Sequence, residues 1–182
     1  MVRAFYRLAF RIAGWKISGD FSRDIRKVVI AVAPHTSNWD FVVGLAARSI
    51  LRLNNARFLG KSQLFRPPFG WIFRMLGGYP IDRTRREDMV NQAAALFSLY
   101  DEFMLALAPE GTRKKVDRLK TGFYYIAKKA GVPIIPVGFD FARKAVVIGQ
   151  PLIPSDNMES DLDQLHQFYG TIKGKNPELG FP

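Results

Sequence analysis

Two hydrophobic patterns alternate along the 182-residue chain. Short apolar runs, typical of buried strands, occur at 27–33, 56–60, 78–82, 103–108, 134–139 and 145–148. Between them, apolar residues recur at helical spacing, which predicts helices at about 39–53, 84–100, 123–130 and 158–172. This alternation predicts an α/β fold with a mixed, largely parallel sheet flanked by helices. We expect residues 1–182 to form a single domain.

Residues 1–15 have the pattern of an amphipathic helix. Arg3, Arg7 and Arg11 recur every four residues on one stripe, and apolar side chains cover the rest of the surface. The arginines also interrupt the apolar core that a secretory signal needs, and no run of about 18 apolar residues predicts a transmembrane helix. Two interpretations stay open: a helix lying in a membrane interface, or a helix packed on the protein's own core.

The charged residues are unevenly distributed along the chain. Residues 1–86 contain 16 Lys/Arg and 4 Asp/Glu, whereas residues 87–182 contain 11 and 12. A basic half predicts an anionic partner, such as phospholipid headgroups, an acidic carrier protein, nucleotides or nucleic acid. No nucleic-acid-binding motif accompanies the charge, so we expect no nucleic-acid partner.

The absence of cysteine excludes disulfides, a thiolate nucleophile and Cys-ligated zinc, and it fits a reducing cytoplasm. Two histidines do not favour a His-rich metal site. We therefore expect no metal in the site.

Polar residues follow two of the predicted strands, where ligands bind in parallel sheets. His35 follows the first long strand, and Asp40 lies in the first turn of the next helix. A carboxylate at this spacing can hold one imidazole nitrogen and leave the other to take a proton from a hydroxyl. Ser37 and Asp40 also fit a variant capping box, in which Asp40 only stabilises the start of the helix.

The second segment is PEGTR at 109–113. A charged Glu110 directly after an apolar strand is unfavourable unless it has a partner or a task, and Gly111 permits a tight turn. A plain surface turn with a Glu110–Arg113 ion pair is the alternative. Arg83 follows a third strand, where its guanidinium suits a phosphate.

Four segments together resemble a known family. HTSNWD at 35–40, GGYPIDR at 77–83, PEGTR at 109–113 and VPIIPV at 132–137 are similar to the four sequence blocks of the glycerolipid acyltransferases, which include glycerol-3-phosphate and 1-acylglycerol-3-phosphate acyltransferases. The resemblance implies a glycerol-3-phosphate acyltransferase-like fold. It also implies transfer of a fatty acyl group from acyl-CoA or acyl carrier protein to a hydroxyl of a lysophospholipid such as 1-acyl-glycerol-3-phosphate, with no cofactor.

The resemblance also implies roles for individual residues. His35 would be the general base and Asp40 its orienting partner. The acceptor site would be lined by Lys61, Arg83, Glu110, Gly111, Thr112 and Arg113, with Arg83 or Arg113 holding a phosphate.

An amphiphilic acceptor has to be drawn from a membrane. The aromatic stretch at 63–76 includes Arg66 and Arg74 and would contact the interface. We therefore expect a cytoplasmic protein, peripheral on the inner face of a membrane that contains anionic lipids. The alternatives are a lipid hydrolase, an acyltransferase acting on a non-glycerol lysolipid, and a non-catalytic membrane- or nucleic-acid-binding module.

Overall fold

The computed structural model of the protein describes residues 2–22, 24–81 and 86–180, without the side chains of residues 61 and 86–88. Thr84, at which the predicted 84–100 helix begins, lies outside the described residues. The strands are β1 Lys16–Ser18, β2 Lys27–Val32, β3 Ala56–Lys61, β4 Gly78–Ile81, β5 Phe103–Leu107, β6 Ile134–Asp140 and β7 Ala145–Ile148. The helices are α1 Val2–Ile12, α2 Trp39–Leu51, α3 Gly70–Met75, α4 Arg86–Leu99, α5 Gly122–Ala130 and α6 Met158–Gly170.

The strands form one mixed sheet in the order β1-β7-β6-β2-β5-β3-β4. From β6 to β4, every neighbouring pair is parallel. β7 is antiparallel to β6 and parallel to β1. The predicted α/β fold with a largely parallel sheet is confirmed.

Helices cover both faces of the sheet, which explains why the strands are continuous apolar runs rather than alternating ones. In β2, Val28 and Ile30 pack on the face that carries α1 and α2. Val29 and Ala31 point to the opposite face, where α4, α5 and α6 pack. Both sets are almost fully buried, so no polar position is tolerated in the centre of this strand.

The ends of several elements differ from the prediction. α1 ends at Ile12 rather than near residue 15, because Gly14 adopts a φ of 75° and the chain turns there. α2 ends at Leu51, where Arg52 takes the left-handed conformation with a φ of 61°. The edge strand β1 was not predicted, since three residues are too few to establish a period-two pattern.

α1 packs on α2 along one side and leaves an apolar side uncovered. Phe10 is buried, and the Arg3 guanidinium donates from Nε to the carbonyl oxygen of Ile50 at 3.2 Å. On the other side, the exposed apolar side chains are Val2, Phe5, Leu8 and Ile12, at 57–77% exposure. Core packing therefore describes one side of the helix, and membrane contact stays a prediction for the other. Within the described ranges, no helix has the length and apolar character needed to cross a bilayer.

Candidate active site

The strand order brings distant polar segments to one edge of the sheet. β2, β5 and β3 are parallel neighbours, so their carboxyl ends lie side by side. His35 and Asp40 follow β2, the PEGTR segment follows β5, and Lys61 ends β3. This edge is where an open α/β sheet binds its ligands.

His35 and Asp40 form a hydrogen-bonded pair in the loop between β2 and α2. The His35 Nδ1 atom lies 3.0 Å from Asp40 Oδ2. The Asp40 side chain is only 1% exposed, whereas that of His35 is 23% exposed and can be reached by a substrate. The same carboxylate oxygen accepts the backbone N–H of Ser37 at 2.9 Å. Asp40 thus stabilises the start of the helix and also holds the imidazole, so it does more than cap the helix, while the role of His35 as a base stays a prediction.

Glu110 holds the backbone of the same histidine from the neighbouring strand. Its carboxylate is buried, and Oε2 accepts the backbone N–H of His35 at 2.6 Å. Burial raises the pKa of Glu110, and nearby Asp40 adds to this rise, while the His35 hydrogen bond and imidazole oppose it. Because Glu110 is buried, a surface turn closed by an ion pair with Arg113 does not describe this segment.

Gly111 turns the chain immediately after Glu110. Its φ is 65°, and its N–H donates to the carbonyl oxygen of Ala108 at 3.0 Å. Lys120 covers the turn: its N–H donates to the carbonyl oxygen of Pro109 at 2.8 Å, and a Cβ atom on residue 111 would lie 2.8 Å from its Nζ atom. Lys120 was not among the predicted site residues, although it belongs to the run of Lys and Arg that follows PEGTR in the sequence.

A cavity of about 1690 Å³ opens beside the His35–Asp40 pair. One part is mostly apolar and lies on the α2 face of the sheet, where Arg48 and Arg57 join a lining of Phe41, Leu45, Leu51 and Phe139. Towards α5, the lining includes the basic side chains Arg113, Lys120, Lys128 and Lys129. The imidazole therefore lies at a cavity that combines a large apolar surface with a cluster of cations.

The sequence profile of the family described as Acyltransferase matches residues 16–140. The chain belongs to the acyltransferase family. The matched stretch contains the His35–Asp40 pair and the PEGTR segment, which are the motifs that indicated glycerolipid acyltransferases. That resemblance is confirmed.

Two bacterial relatives are 1-acyl-sn-glycerol-3-phosphate acyltransferases. The chain is 31% identical to that of Salmonella typhimurium and 30% identical to that of Escherichia coli, over 152 residues in each case. Each match covers 76% of this chain and 61% of the relative, so the chain spans about three fifths of their length. The crystal structure of the 1-acyl-sn-glycerophosphate acyltransferase of Thermotoga maritima superposes with a TM-score of 0.58 at 21% identity, covering 96% of this chain and 80% of that one. This last likeness shows the acyltransferase fold.

The structure describes the remaining predicted site residues only in part. Thr112 is half-buried in the turn, and its hydroxyl accepts the backbone N–H of Lys114 at 3.2 Å. The Lys61 backbone ends β3 beside β5, but its side chain and the whole of Arg83 lie outside the described residues. Their predicted phosphate contacts remain predictions. The VPIIPV block forms most of β6, and the carbonyl oxygen of Val137 accepts the N–H of Ala33 at 3.1 Å, just before the loop that carries His35.

Proposed function

We propose that the protein transfers a fatty acyl group from an acyl thioester to a hydroxyl of a lysophospholipid, with 1-acyl-glycerol-3-phosphate as the acceptor. The observation that carries this proposal is the His35–Asp40 pair at a cavity that is mostly apolar on one side and basic on the other. Membership in the acyltransferase family and the activity named for the Salmonella and Escherichia coli relatives support it.

The reaction is direct transfer, with His35 as general base. Asp40 holds the Nδ1–H of the imidazole, which leaves Nε2 to take the proton of the acceptor hydroxyl. The acceptor oxygen then attacks the thioester carbonyl and forms the new C–O bond. As the C–S bond breaks, the imidazolium returns the proton to the thiolate. The products are an ester and a free thiol, without a covalent enzyme intermediate, a metal or a cofactor.

The cavity suits both ends of an amphiphilic acceptor. Its apolar side provides a surface for acyl chains, whose burial is favourable by about 0.8 kcal/mol per methylene. On the basic side, Arg113 and Lys120 line the cavity and are the proposed phosphate ligands, since an Arg guanidinium offers two N–H groups to two phosphate oxygens. Either acyl-CoA or acyl carrier protein supplies the thioester that the mechanism requires.

We also propose that the protein works at the inner face of a membrane that contains anionic lipids. The uncovered apolar side of α1 supports this, as does the aromatic stretch around α3. Within that stretch, Phe65 is buried against the Arg74 guanidinium, whereas Phe69, Trp71 and Met75 are 62–67% exposed. Exposed apolar residues of this density favour contact with a lipid interface.

The test is transfer by the full chain on vesicles that contain 1-acyl-glycerol-3-phosphate and lysolipids with other headgroups. Either acyl-CoA or acyl carrier protein is added, and new lipids are identified by mass spectrometry. His35→Ala should lower turnover by about 10²–10⁴-fold, since a general base contributes a factor of that size. The chain's other histidine gives a matched control, because His166→Ala also removes an imidazole but lies on α6.

Three outcomes contradict the proposal. Release of free fatty acid without a new ester indicates a hydrolase. Acylation of only a non-glycerol lysolipid indicates another acceptor. Near-normal transfer by folded His35→Ala protein refutes His35 as the base.

A further inference from the structure

The loop that carries His35 is held by a part of the chain far away in sequence. Thr36, the next residue, is only 2% exposed. Its hydroxyl oxygen accepts the backbone N–H of Asn176 at 3.2 Å. Its carbonyl oxygen accepts the Asn176 side-chain amide at 2.9 Å. Both polar partners of Thr36 therefore come from one residue, 140 positions later in the chain.

Asn176 belongs to a segment that is itself tied to the sheet. We call residues 171–176 the C-terminal strap. At its start, the Arg143 guanidinium donates to the carbonyl oxygen of Thr171 at 2.9 Å, and the Phe141 N–H donates to that of Lys173 at 2.9 Å. Near its end, the Lys175 ammonium lies 4.9 Å from the ring centre of Trp39, in the first turn of α2. The strap thus connects the β6–β7 turn to the loop of the general base.

Gly174 brings the strap into direct contact with this loop. A Cβ atom on residue 174 would lie 2.7 Å from the Thr36 hydroxyl oxygen and 3.0 Å from its Cγ2 atom, whereas ordinary contacts are 3.4–4 Å. Both branches of the Thr36 side chain face the glycine, so a rotation that exchanges them does not relieve the overlap. The φ of Gly174 lies outside the left-handed region, and the close approach alone requires glycine.

We infer that the C-terminal strap positions the catalytic base: by holding Thr36, it fixes the backbone of His35 relative to Asp40 and the cavity. Glu110 holds the N–H side of His35, and the strap holds the residue on its carbonyl side. The family match ends at residue 140, so the strap lies outside the stretch on which the family was recognised. This inference rests on the proposed function, since it assigns a purpose to the position of His35.

The main test compares two glycine-to-alanine variants of the full chain. Gly174→Ala must move the loop or the strap by roughly 0.7 Å to restore a normal contact, and a shift of about 1 Å at a reacting group can lower the rate by about 10²-fold. We expect kcat to fall by at least about tenfold, with both KM values within about twofold of wild type. Gly170→Ala is the matched control, because nothing lies within 4 Å of its added Cβ. It should keep the wild-type kcat.

A spectroscopic measurement tests the position of the base without turnover. The chain has two histidines, so the His35 ring signals in a ¹H–¹⁵N spectrum can be assigned by their loss in His35→Ala. These signals should shift in Gly174→Ala and stay in place in Gly170→Ala. If wild-type protein shows no transfer, the proposed function fails, while the ring signals still test the strap.

A second pair of variants tests the positioning of His35 by the strap if Gly174→Ala does not fold. Asn176→Ala removes the bond to the Thr36 carbonyl oxygen, and Asn157→Ala removes the cap of α6, which accepts the Ser160 N–H at 3.2 Å. Only Asn176→Ala should lower kcat and shift the His35 signals. Equal effects within each pair, or a change in KM alone, would overturn the inference.

Discussion

Replacing Glu110 separates a role in positioning His35 from a role in binding the acceptor. Glu110→Ala leaves the His35 N–H without its 2.6 Å partner in a buried site. An orphaned buried donor costs about 1–3 kcal/mol of stability. Glu110→Gln keeps an acceptor oxygen of the same reach but removes the charge. We therefore expect alanine to destabilise the fold and glutamine to preserve it.

The pH dependence of stability gives a second test of the Glu110 variants. Burial raises the pKa of Glu110 above its ordinary value of 4.5, so the folded state favours the protonated acid. The stabilisation that the protonated acid gives to the folded state is fully present at pH values below the pKa of Glu110 in the unfolded chain. It is lost as pH rises through the higher pKa of Glu110 in the folded protein. At pH 7 the ionised carboxylate therefore lowers stability. Glu110→Gln should be at least as stable as wild type at pH 7, and its advantage should shrink as pH falls through the raised pKa of Glu110, becoming smallest below about pH 4.

The assay is urea unfolding followed by circular dichroism at pH 4 and pH 7, with kinetics on the same variants. The exposed residue Glu178 offers a matched control, and Glu178→Gln should change neither property. If Glu110 acts through His35, Glu110→Ala lowers kcat and Glu110→Gln retains it. A raised acceptor KM in Glu110→Gln would indicate instead that the carboxylate lines the acceptor site. Wild-type stability of Glu110→Ala at pH 7 would refute the energetic reasoning.

Three further changes test other parts of the molecule. Lys120→Ala should raise the acceptor KM several-fold if the proposed phosphate contact is lost, whereas Lys115→Ala on the same loop should not. Equal effects of the two substitutions would remove Lys120 from the acceptor site. Burial and the bond to Asp161 raise the pKa of Tyr124 to about 12, so its contribution to stability is complete below pH 10 and is lost towards pH 12. Tyr124→Phe should lose less stability than wild type between pH 10 and pH 12, measured by thermal unfolding against pH. A loss equal to that of wild type would contradict the assignment. Arg7→Gln should weaken the free energy of binding to anionic vesicles, measured by co-sedimentation, by about 1 kcal/mol at low salt and by less at high salt. Binding that does not depend on salt would argue against electrostatic attachment.

Local patterns in the sequence determined most of the architecture. The six longer strands were predicted because each is a short, mainly apolar run, and β2 and β6 in the middle of the sheet are buried on both faces. The His35–Asp40 pair was also predictable, because five residues across a strand-to-helix turn bring the two side chains together without help from elsewhere. The motifs that resembled glycerolipid acyltransferases were sufficient to recognise the family. Helix ends were less predictable, since they depend on single residues such as Arg52 in the left-handed region.

Only the tertiary structure decided how this pair is supported. Glu110 is 75 residues from His35, and its bond to the His35 backbone exists because β5 pairs with β2 in the sheet. The strap reaches Thr36 from 140 residues away because α6 returns the chain to the same edge. Likewise, α1 has one covered and one uncovered side because α2 packs against only part of it. Hydrophobic periodicity reports which face of an element is buried, but it carries no information about which other element buries that face, and that choice depends on the order of the strands and the packing of the whole chain.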